Sequence, residues 1–201
     1  MMGRRKVAIG VDIGGTKISA GIVGGEGLVY ASPRTIATNP KEPGEVIIAN
    51  LFSLLKNILA DAADYDIQGI GIGCTGPLDI DKGILLDVEN LPTLNYFPLK
   101  DTVEQAFPLR VILDNDANAL IYAEALWGAG RNASSVLGFT LGTGIGCAWI
   151  NGGKYGVGIP VVLEKYGLHL IKKGYWKIMY PAMPSPVFIK NIQRRSCRLI
   201  V

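Results

Sequence analysis

The first third of the chain alternates between apolar and polar positions, and glycines interrupt the alternation. This period of two predicts three consecutive antiparallel strands at 6–13, 17–23 and 28–38, joined by glycine turns. Residues 44–63 instead place apolar side chains three and four positions apart, which predicts an amphipathic helix. The glycine-punctuated run 67–73 predicts a short strand in the centre of a sheet, covered on both faces. A meander, a helical crossover and a parallel strand together indicate a mixed α/β sheet.

The next part of the chain continues this mixture of helices and strands. A short helix is predicted at 99–106, a strand at 110–113 and a helix at 117–127. A second meander is predicted at 135–141 and 145–150, and the glycine turn after it leads into a third short strand.

From about Pro160 onward neither period persists, and the composition changes. This segment contains eight Lys and Arg residues and one acidic residue, and its prolines interrupt any long element. A frameshift or a truncation in the gene would produce such a change. We therefore expect an atypical basic tail at 159–201.

The bulk composition narrows the class of protein. A chain of 201 residues with 49% hydrophobic content can bury a substantial core. The net charge of +3 is too small to indicate a nucleic-acid or membrane partner. Three cysteines without C-x-x-C spacing argue against a disulfide framework, and no stretch provides the roughly 18 uncharged apolar residues of a membrane span. A protein of the reducing cytoplasm fits these features.

The first candidate site lies between the first two predicted strands, where Asp12 precedes a glycine turn at 14–16. Glycines leave backbone N–H groups uncovered, so a phosphate could approach them closely. An ordinary glycine hairpin with an exposed aspartate is the alternative. Two nucleotide motifs do not apply: the order Gly-Thr-Lys differs from a Walker A loop, and the G-x-G-x-x-G match at 71–76 continues into Pro77 instead of a helix.

A second glycine turn at 142–144 joins the strands of the second meander. Two such turns suggest two related lobes that hold the phosphates of a nucleotide. Phosphoryl transfer also needs a divalent ion and a base for the accepting hydroxyl. Asp12 could hold Mg²⁺ through water, because this ion retains much of its hydration shell. Asp116, between a strand and a helix, is the candidate base; its alternative role is a helix cap, which Asp114 or Asn115 could provide equally well.

Other polar side chains have two interpretations each. Asn90, Asn115 and Asn118 could bind sugar hydroxyls, although asparagine is also common in turns. Lys17 could neutralise a phosphate or be a solvated strand residue. His169 is the only histidine, and we expect it at the surface.

Five motifs occur in order along the chain: Asp12-Ile-Gly-Gly-Thr-Lys17, Gly73-Cys-Thr-Gly-Pro-Leu-Asp79, Asn90-Leu-Pro, Asn115-Asp-Ala-Asn-Ala119 and Leu141-Gly-Thr-Gly-Ile-Gly146. This ordered set resembles the ROK family of repressors, open reading frames and sugar kinases, which includes bacterial glucokinases. The resemblance covers residues 6 to about 158. It implies an actin-like ATPase (ribonuclease H-like) fold, a mixed sheet with helices on both faces. The N-terminal lobe would lie at 1–115 and the start of an incomplete second lobe at 116–158.

The resemblance also implies an activity and its residues. The activity is transfer of the γ-phosphoryl group of ATP to a hexose hydroxyl, usually that on C6 of glucose, with ATP and Mg²⁺ as cofactors. Asp116 would be the general base and Asp12 the residue at the metal. The residues implied at the nucleotide are Asp12, Gly14, Gly15, Thr16, Lys17, Gly142, Thr143 and Gly144. Those implied at the sugar are Gly76, Asn90 and Asn115.

The chain departs from the family pattern after the second glycine turn. The family continues with Gly-Glu-x-Gly-His and often a cysteine-rich zinc site. Glu164 and His169 approximate the glutamate and histidine, which adds Glu164 to the candidate sugar ligands, but no Cys-x-Cys supports a zinc site. An inactive remnant or a sugar-binding regulatory protein without kinase activity is therefore the alternative. Only five residues precede Lys6, which disfavours a repressor with an N-terminal DNA-binding domain, and a homodimer stays open.

Overall fold

The computed structural model describes residues 3–141, 145–155, 169–171, 175–178 and 187–189. The chain divides into two compact units, Met1–Ala123 and Glu124–Val201. Within the described ranges, no helix has the length and apolar character needed to cross a membrane.

The first unit is built on a five-stranded sheet. Its elements are β1 (Lys6–Ile13), β2 (Lys17–Gly24), β3 (Arg34–Ala37), α1 (Gly44–Asp61), β4 (Asp66–Cys74), β5 (Leu78–Asp79), β6 (Ile84–Leu85), a 3₁₀ helix (Pro92–Leu94), α2 (Leu99–Ala106), β7 (Val111–Asn115) and the greater part of α3 (Asp116–Leu126), which ends in the second unit. The strand order in the sheet is β3-β2-β1-β4-β7. β1 pairs antiparallel with β2 and parallel with β4, which pairs parallel with β7. The predicted meander, crossover and parallel strand are confirmed.

Alternation along β1 determines which face of the sheet carries the core. Val7, Ile9, Val11 and Ile13 are buried, whereas the positions between them are exposed or half-buried. The buried stripe of α1 packs into the same hydrophobic cluster, and α2 adds two residues to it. The α1 and α2 residues in this cluster are Ile47, Ile48, Leu51, Leu54, Leu55, Ile58, Leu99 and Val103. Burial of each large aliphatic side chain contributes about 1.5–3 kcal/mol, so this face holds the sheet and both helices together.

The opposite face of the sheet contacts α3 near the ends of the strands. A Cβ placed on Gly73 would lie 3.5 Å from the Asp116 Cα and 3.6 Å from the Ala119 Cβ. Helices therefore contact both faces. The expectation that the central strand is covered on both faces is wrong at Gly71, which is exposed. Gly71 and Gly73 occupy this face of β4, so the run contains no polar residue after Gln68 although only alternate positions are buried.

Most predicted boundaries agree with the structure within two residues, but β3 is shorter than the predicted strand at 28–38. Leu28 and Val29 are exposed. A tight turn precedes them, in which the Gly24 N–H donates to the Leu28 carbonyl oxygen at 2.8 Å. Their apolar side chains therefore belong to a loop, and regular pairing with β2 begins only at Arg34.

In the second unit, β8 (Ser135–Leu141) and β9 (Ile145–Asn151) form an antiparallel pair, and β10 (Lys154–Tyr155) pairs with β9. This arrangement confirms the second meander. A separate antiparallel sheet contains β11 (His169–Ile171), β12 (Tyr175–Ile178) and β13 (Val187–Ile189). These strands lie where the sequence pattern predicts no element, because runs of three or four residues are too short to establish a period.

Candidate active site

The candidate site of the first unit lies at the edge where the parallel strands β1, β4 and β7 end. The register places Asp12 beside Gly73, and Gly73 beside Asp114. The Thr75 N–H then donates to the Ile13 carbonyl oxygen at 3.1 Å. This edge is where open α/β sheets bind their ligands.

The glycine turn between β1 and β2 presents uncovered backbone donors. The Gly14 N–H closes the turn by donating to the Lys17 carbonyl oxygen at 3.0 Å. In the described part of the chain, no hydrogen bond uses the N–H of Gly15 or Thr16. Successive N–H groups of this kind form a concave site for an anion. The turn therefore has the donors that a phosphate group requires.

Thr38, immediately after β3, holds this turn in place. Its Oγ1 donates to the Gly14 carbonyl oxygen at 2.6 Å, and its N–H donates to the Thr16 carbonyl oxygen at 3.0 Å. The residue is 1% exposed. Thr38 is not among the residues predicted from the sequence. The available signal is a threonine at the end of a strand that pairs with the strand following the turn.

The turn also contacts the loop that carries Asn90. A Cβ placed on Gly15 would lie 2.9 Å from the Asn90 Cβ and 3.1 Å from its carbonyl oxygen. Asn95 fixes this loop: its Oδ1 accepts the Val88 N–H at 2.8 Å, and its Nδ2 donates to Asp87 Oδ1 at 2.8 Å. Asn95 is not among the predicted residues either, because its partners become neighbours only through the loop conformation.

The start of α3 separates the roles of three adjacent polar residues. Asn115 Oδ1 accepts the N–H groups of Ala117 and Asn118 at 3.1 and 3.3 Å, so Asn115 caps the helix. Asp114 Oδ1 accepts the Asn115 N–H at 2.7 Å and Asn118 Nδ2 at 3.1 Å. Asp116 Oδ1 accepts the adjacent Ala117 N–H at 2.7 Å. The helix therefore has a cap that does not depend on the Asp116 carboxylate.

The amide group of Asn115 also lies close to the segment after β4. A Cβ placed on Gly76 would lie 3.2 Å from Asn115 Nδ2. Since Oδ1 makes the cap, Nδ2 is the atom of this side chain that can donate to a ligand. Gly76 leaves the space in front of it open.

The carboxylates of Asp12 and Asp116 are close enough to influence each other. Loss of hydration raises the pKa of Asp12, the negative charge of Asp116 raises it further, and Lys17 opposes both effects. Asp12 is exposed as a residue, yet the protein around its carboxylate still removes part of its hydration. Burial raises the pKa of the Cys74 thiol, and Asp116 and Asp12 add to this increase. Two acidic groups and two uncovered N–H groups thus lie at one edge of the sheet.

A divalent cation fits this set of donors. Mg²⁺ is usually held by one or two carboxylates together with water and substrate phosphates. Within the described ranges, no group of three or more His, Cys, Asp and Glu side chains forms a metal-binding cluster. Asp12, with Asp116 nearby, would therefore share the ion with water and phosphate oxygens.

Most of the sequence-predicted residues lie along this edge. They are Asp12, Gly14, Gly15, Thr16, Lys17, Gly76, Asn90, Asn115 and Asp116. Gly142, Thr143, Gly144 and Glu164 lie outside the described residues. His169 begins β11, opposite Lys177 of β12. A hollow of about 180 Å³ between α2 and β7 is lined by none of the predicted residues.

Comparison with known proteins defines the class. The ROK family model matches residues 8–165, and the chain belongs to the ROK family. The crystal structure of a ROK family glucokinase from Streptomyces griseus in complex with glucose and AMPPNP superposes with a TM-score of 0.67 at 38% identity. That match covers 76% of this chain and 47% of the glucokinase. The expected actin-like ATPase fold is confirmed.

Two relatives indicate the range of sugar kinases to which the chain is similar. It is 36% identical over 140 residues to the glucokinase of Halalkalibacterium halodurans, a match covering 69% of this chain and 42% of the relative. It is 32% identical over 146 residues to the N-acetylmannosamine kinase of Escherichia fergusonii, covering 73% and 48% respectively. The chain thus spans about half the length of the relatives it matches.

Proposed function

We propose that this chain carries the N-terminal lobe of an ATP-dependent sugar kinase, which transfers the γ-phosphoryl group of ATP to a hexose hydroxyl. The main support is the shared sheet edge, where the uncovered N–H groups of Gly15 and Thr16 accompany Asp12 and Asp116. Phosphoryl transfer requires positioning and charge stabilisation, and an anion site beside two carboxylates suits both needs.

The glycine turn is assigned to the nucleotide phosphates. Gly15 and Thr16 would donate their N–H groups to phosphate oxygens, and the Lys17 ammonium would offset negative charge. Asp12 would hold Mg²⁺, which neutralises charge on the phosphates when bound. Gly142, Thr143 and Gly144 are assigned to the same nucleotide from the family resemblance.

Asp116 is assigned as the general base. Its carboxylate would accept the proton of the sugar hydroxyl while the hydroxyl oxygen bonds to the γ-phosphorus and the bond from that phosphorus to ADP breaks. The Asn115 cap supports this role, because α3 then does not need Asp116 for its first turn.

The sugar is assigned to the loop of Asn90 and the start of α3. Asn90 contacts the turn at Gly15, and Asn115 Nδ2 lies close to Gly76, which supports this assignment. Glu164 is added from the family resemblance. Glucose with transfer to its C6 hydroxyl is the proposed substrate, by analogy with the glucokinase relatives. N-acetylmannosamine is the alternative sugar, by analogy with the other relative.

The purified chain is tested with ATP, Mg²⁺ and a panel that includes glucose and N-acetylmannosamine, with ADP release as the readout. Removal of a positioned general base typically costs 10²- to 10⁴-fold, so Asp116→Asn should lower kcat by about that factor. Asp101→Asn is the matched control, because Asp101 occupies the first turn of α2 as Asp116 does in α3. This control should retain the wild-type rate.

The outcomes separate the proposal from its alternatives. Turnover that survives Asp116→Asn contradicts the assigned base. Thermal stabilisation by glucose and ATP without turnover favours a sugar-binding protein that lacks catalysis. Neither turnover nor stabilisation by any sugar favours an inactive remnant.

A further inference from the structure

Among the described residues, Thr38 is the polar residue that is fully buried, and its side chain contacts the turn assigned to the phosphates. We propose that Thr38 is a positioning residue whose hydroxyl orients the Gly14–Gly15 peptide, so that the Gly15 N–H points toward the bound phosphate. The inference rests on the proposed function, because that function makes the turn a phosphate site.

The hydroxyl makes a short hydrogen bond in a buried place. Its distance of 2.6 Å to the Gly14 carbonyl oxygen lies near the lower end of the range for such bonds. Buried polar groups are nearly always hydrogen-bonded, and a hydroxyl that loses its acceptor pays a desolvation penalty. The side chain is therefore fixed in one orientation by the carbonyl that it contacts.

The bond determines the direction of the Gly15 donor. In a trans peptide the C=O and the following N–H point in opposite directions. Since the Gly14 carbonyl points to Thr38, the Gly15 N–H must point away from Thr38. The Thr38 N–H binds the Thr16 carbonyl oxygen in the same way, which directs the Lys17 N–H away from Thr38.

A glycine pair requires such a restraint. Two consecutive glycines allow their shared peptide to rotate at low energetic cost, and a rotated peptide would present a carbonyl oxygen to the phosphate. Asn90 also limits movement of the turn, since it lies in close contact with Gly15. The turn is thus held by a hydrogen bond from Thr38 and by packing against Asn90.

The test compares three variants by NMR titration with sodium tripolyphosphate, an inorganic probe of the phosphate site. Thr38→Val keeps the side-chain shape and removes the hydroxyl, whereas Thr38→Ser keeps the hydroxyl. Thr35→Val is the matched control: Thr35 lies in β3, and its hydroxyl bonds to that of Ser19 at an exposed position and not to the backbone of the turn. The measured quantities are the tripolyphosphate affinity and the resonances of the Gly14 carbonyl carbon and the Gly15 and Thr16 amides.

We expect tripolyphosphate to shift the Gly15 and Thr16 amide resonances in the wild type. Thr38→Val should weaken binding about tenfold and move the Gly14 carbonyl resonance in the ligand-free protein. Thr38→Ser and Thr35→Val should bind within twofold of the wild type. A purely structural role for Thr38 would lower thermal stability without this selective loss of affinity.

Equal affinity of the wild type and Thr38→Val overturns the inference and leaves the proposed function intact. Equal losses in Thr38→Ser and Thr38→Val also overturn it. A wild type that does not bind tripolyphosphate overturns the phosphate assignment itself, and the inference with it. If Thr38→Val does not fold, the exchange rate of the Thr38 hydroxyl proton with water is measured in the wild type instead. Exchange as fast as that of the Thr35 hydroxyl refutes the hydrogen bond to the Gly14 carbonyl, and slow exchange supports it.

Discussion

Replacement of Gly15 by alanine tests the contact between the glycine turn and the loop of Asn90. The new Cβ would lie 2.9 Å from the Asn90 Cβ and 3.1 Å from its carbonyl oxygen. Neither atom is the end of a flexible side chain, so the loop or the turn must move. Overpacking of this kind costs about 1–3 kcal/mol. With a urea dependence of about 1–3 kcal/mol per molar, the unfolding midpoint should fall by roughly 1 M.

Gly14→Ala is the matched control for this substitution. Its Cβ would meet only the Lys17 carbonyl oxygen at 3.6 Å, an ordinary contact, and Gly14 does not have a positive φ. It should therefore be neutral or stabilise the protein by about 0.4–1 kcal/mol through the unfolded state. Native-state hydrogen exchange of the β1 amides measures the stability of the first unit alone. Tryptophan fluorescence would instead report on the second unit, because Trp127, Trp149 and Trp176 all lie there. Equal stability of the two alanine variants would refute the contact.

Two further substitutions test the loop and the acidic pair. Asn95→Ala removes the acceptor of the Val88 N–H and the donor to Asp87, so it should destabilise the Asn90 loop by about 1–2 kcal/mol. Hydrogen exchange of the Val88 amide should become faster, and an unchanged exchange rate would contradict the anchoring role of Asn95. Asp12→Asn should stabilise the fold at neutral pH, because the folded-state pKa of Asp12 lies above its ordinary value of 3.8. The stabilising contribution of the protonated Asp12 is complete below pH 3.8 and is lost as the pH rises through the folded-state pKa. Chemical denaturation between pH 3 and pH 7 should show variant and wild type converging at the acidic end, and a constant difference would refute the shift.

The sheet could be predicted from the sequence because its signals are local. The β1 alternation and the α2 spacing span whole elements, and both predicted ranges agree with the structure. The β3 prediction extended too far, since exposed apolar residues in a loop have the same letters as strand residues. Coverage of β4 was overestimated for a related reason: a glycine satisfies an apolar pattern whether it is buried or exposed.

The site could be predicted only as far as its chemistry is contiguous in sequence. The Asp12 turn and the polar residues before α3 are short segments with recognisable composition. Sequence alone left the helix cap open among Asp114, Asn115 and Asp116, because each can accept an N–H; only the side-chain orientations assign it to Asn115. Thr38 could not be identified as the turn's partner, because 24 residues separate it from Gly14.

Packing does not explain why the acidic pair of Asp12 and Asp116 lies together in the first unit. Desolvation and like charge both raise the pKa of Asp12, so the ionised pair reduces the stability of the folded chain near neutral pH. Among the described residues no salt bridge involves Asp12, and α3 is already capped by Asn115. A carboxylate with a raised pKa and no salt-bridge partner, such as Asp12, is typical of a site where a ligand supplies the compensating charge. The uncovered N–H groups of the adjacent turn attract an anion, so the arrangement suits a ligand that carries both charges, such as a phosphate with its bound cation.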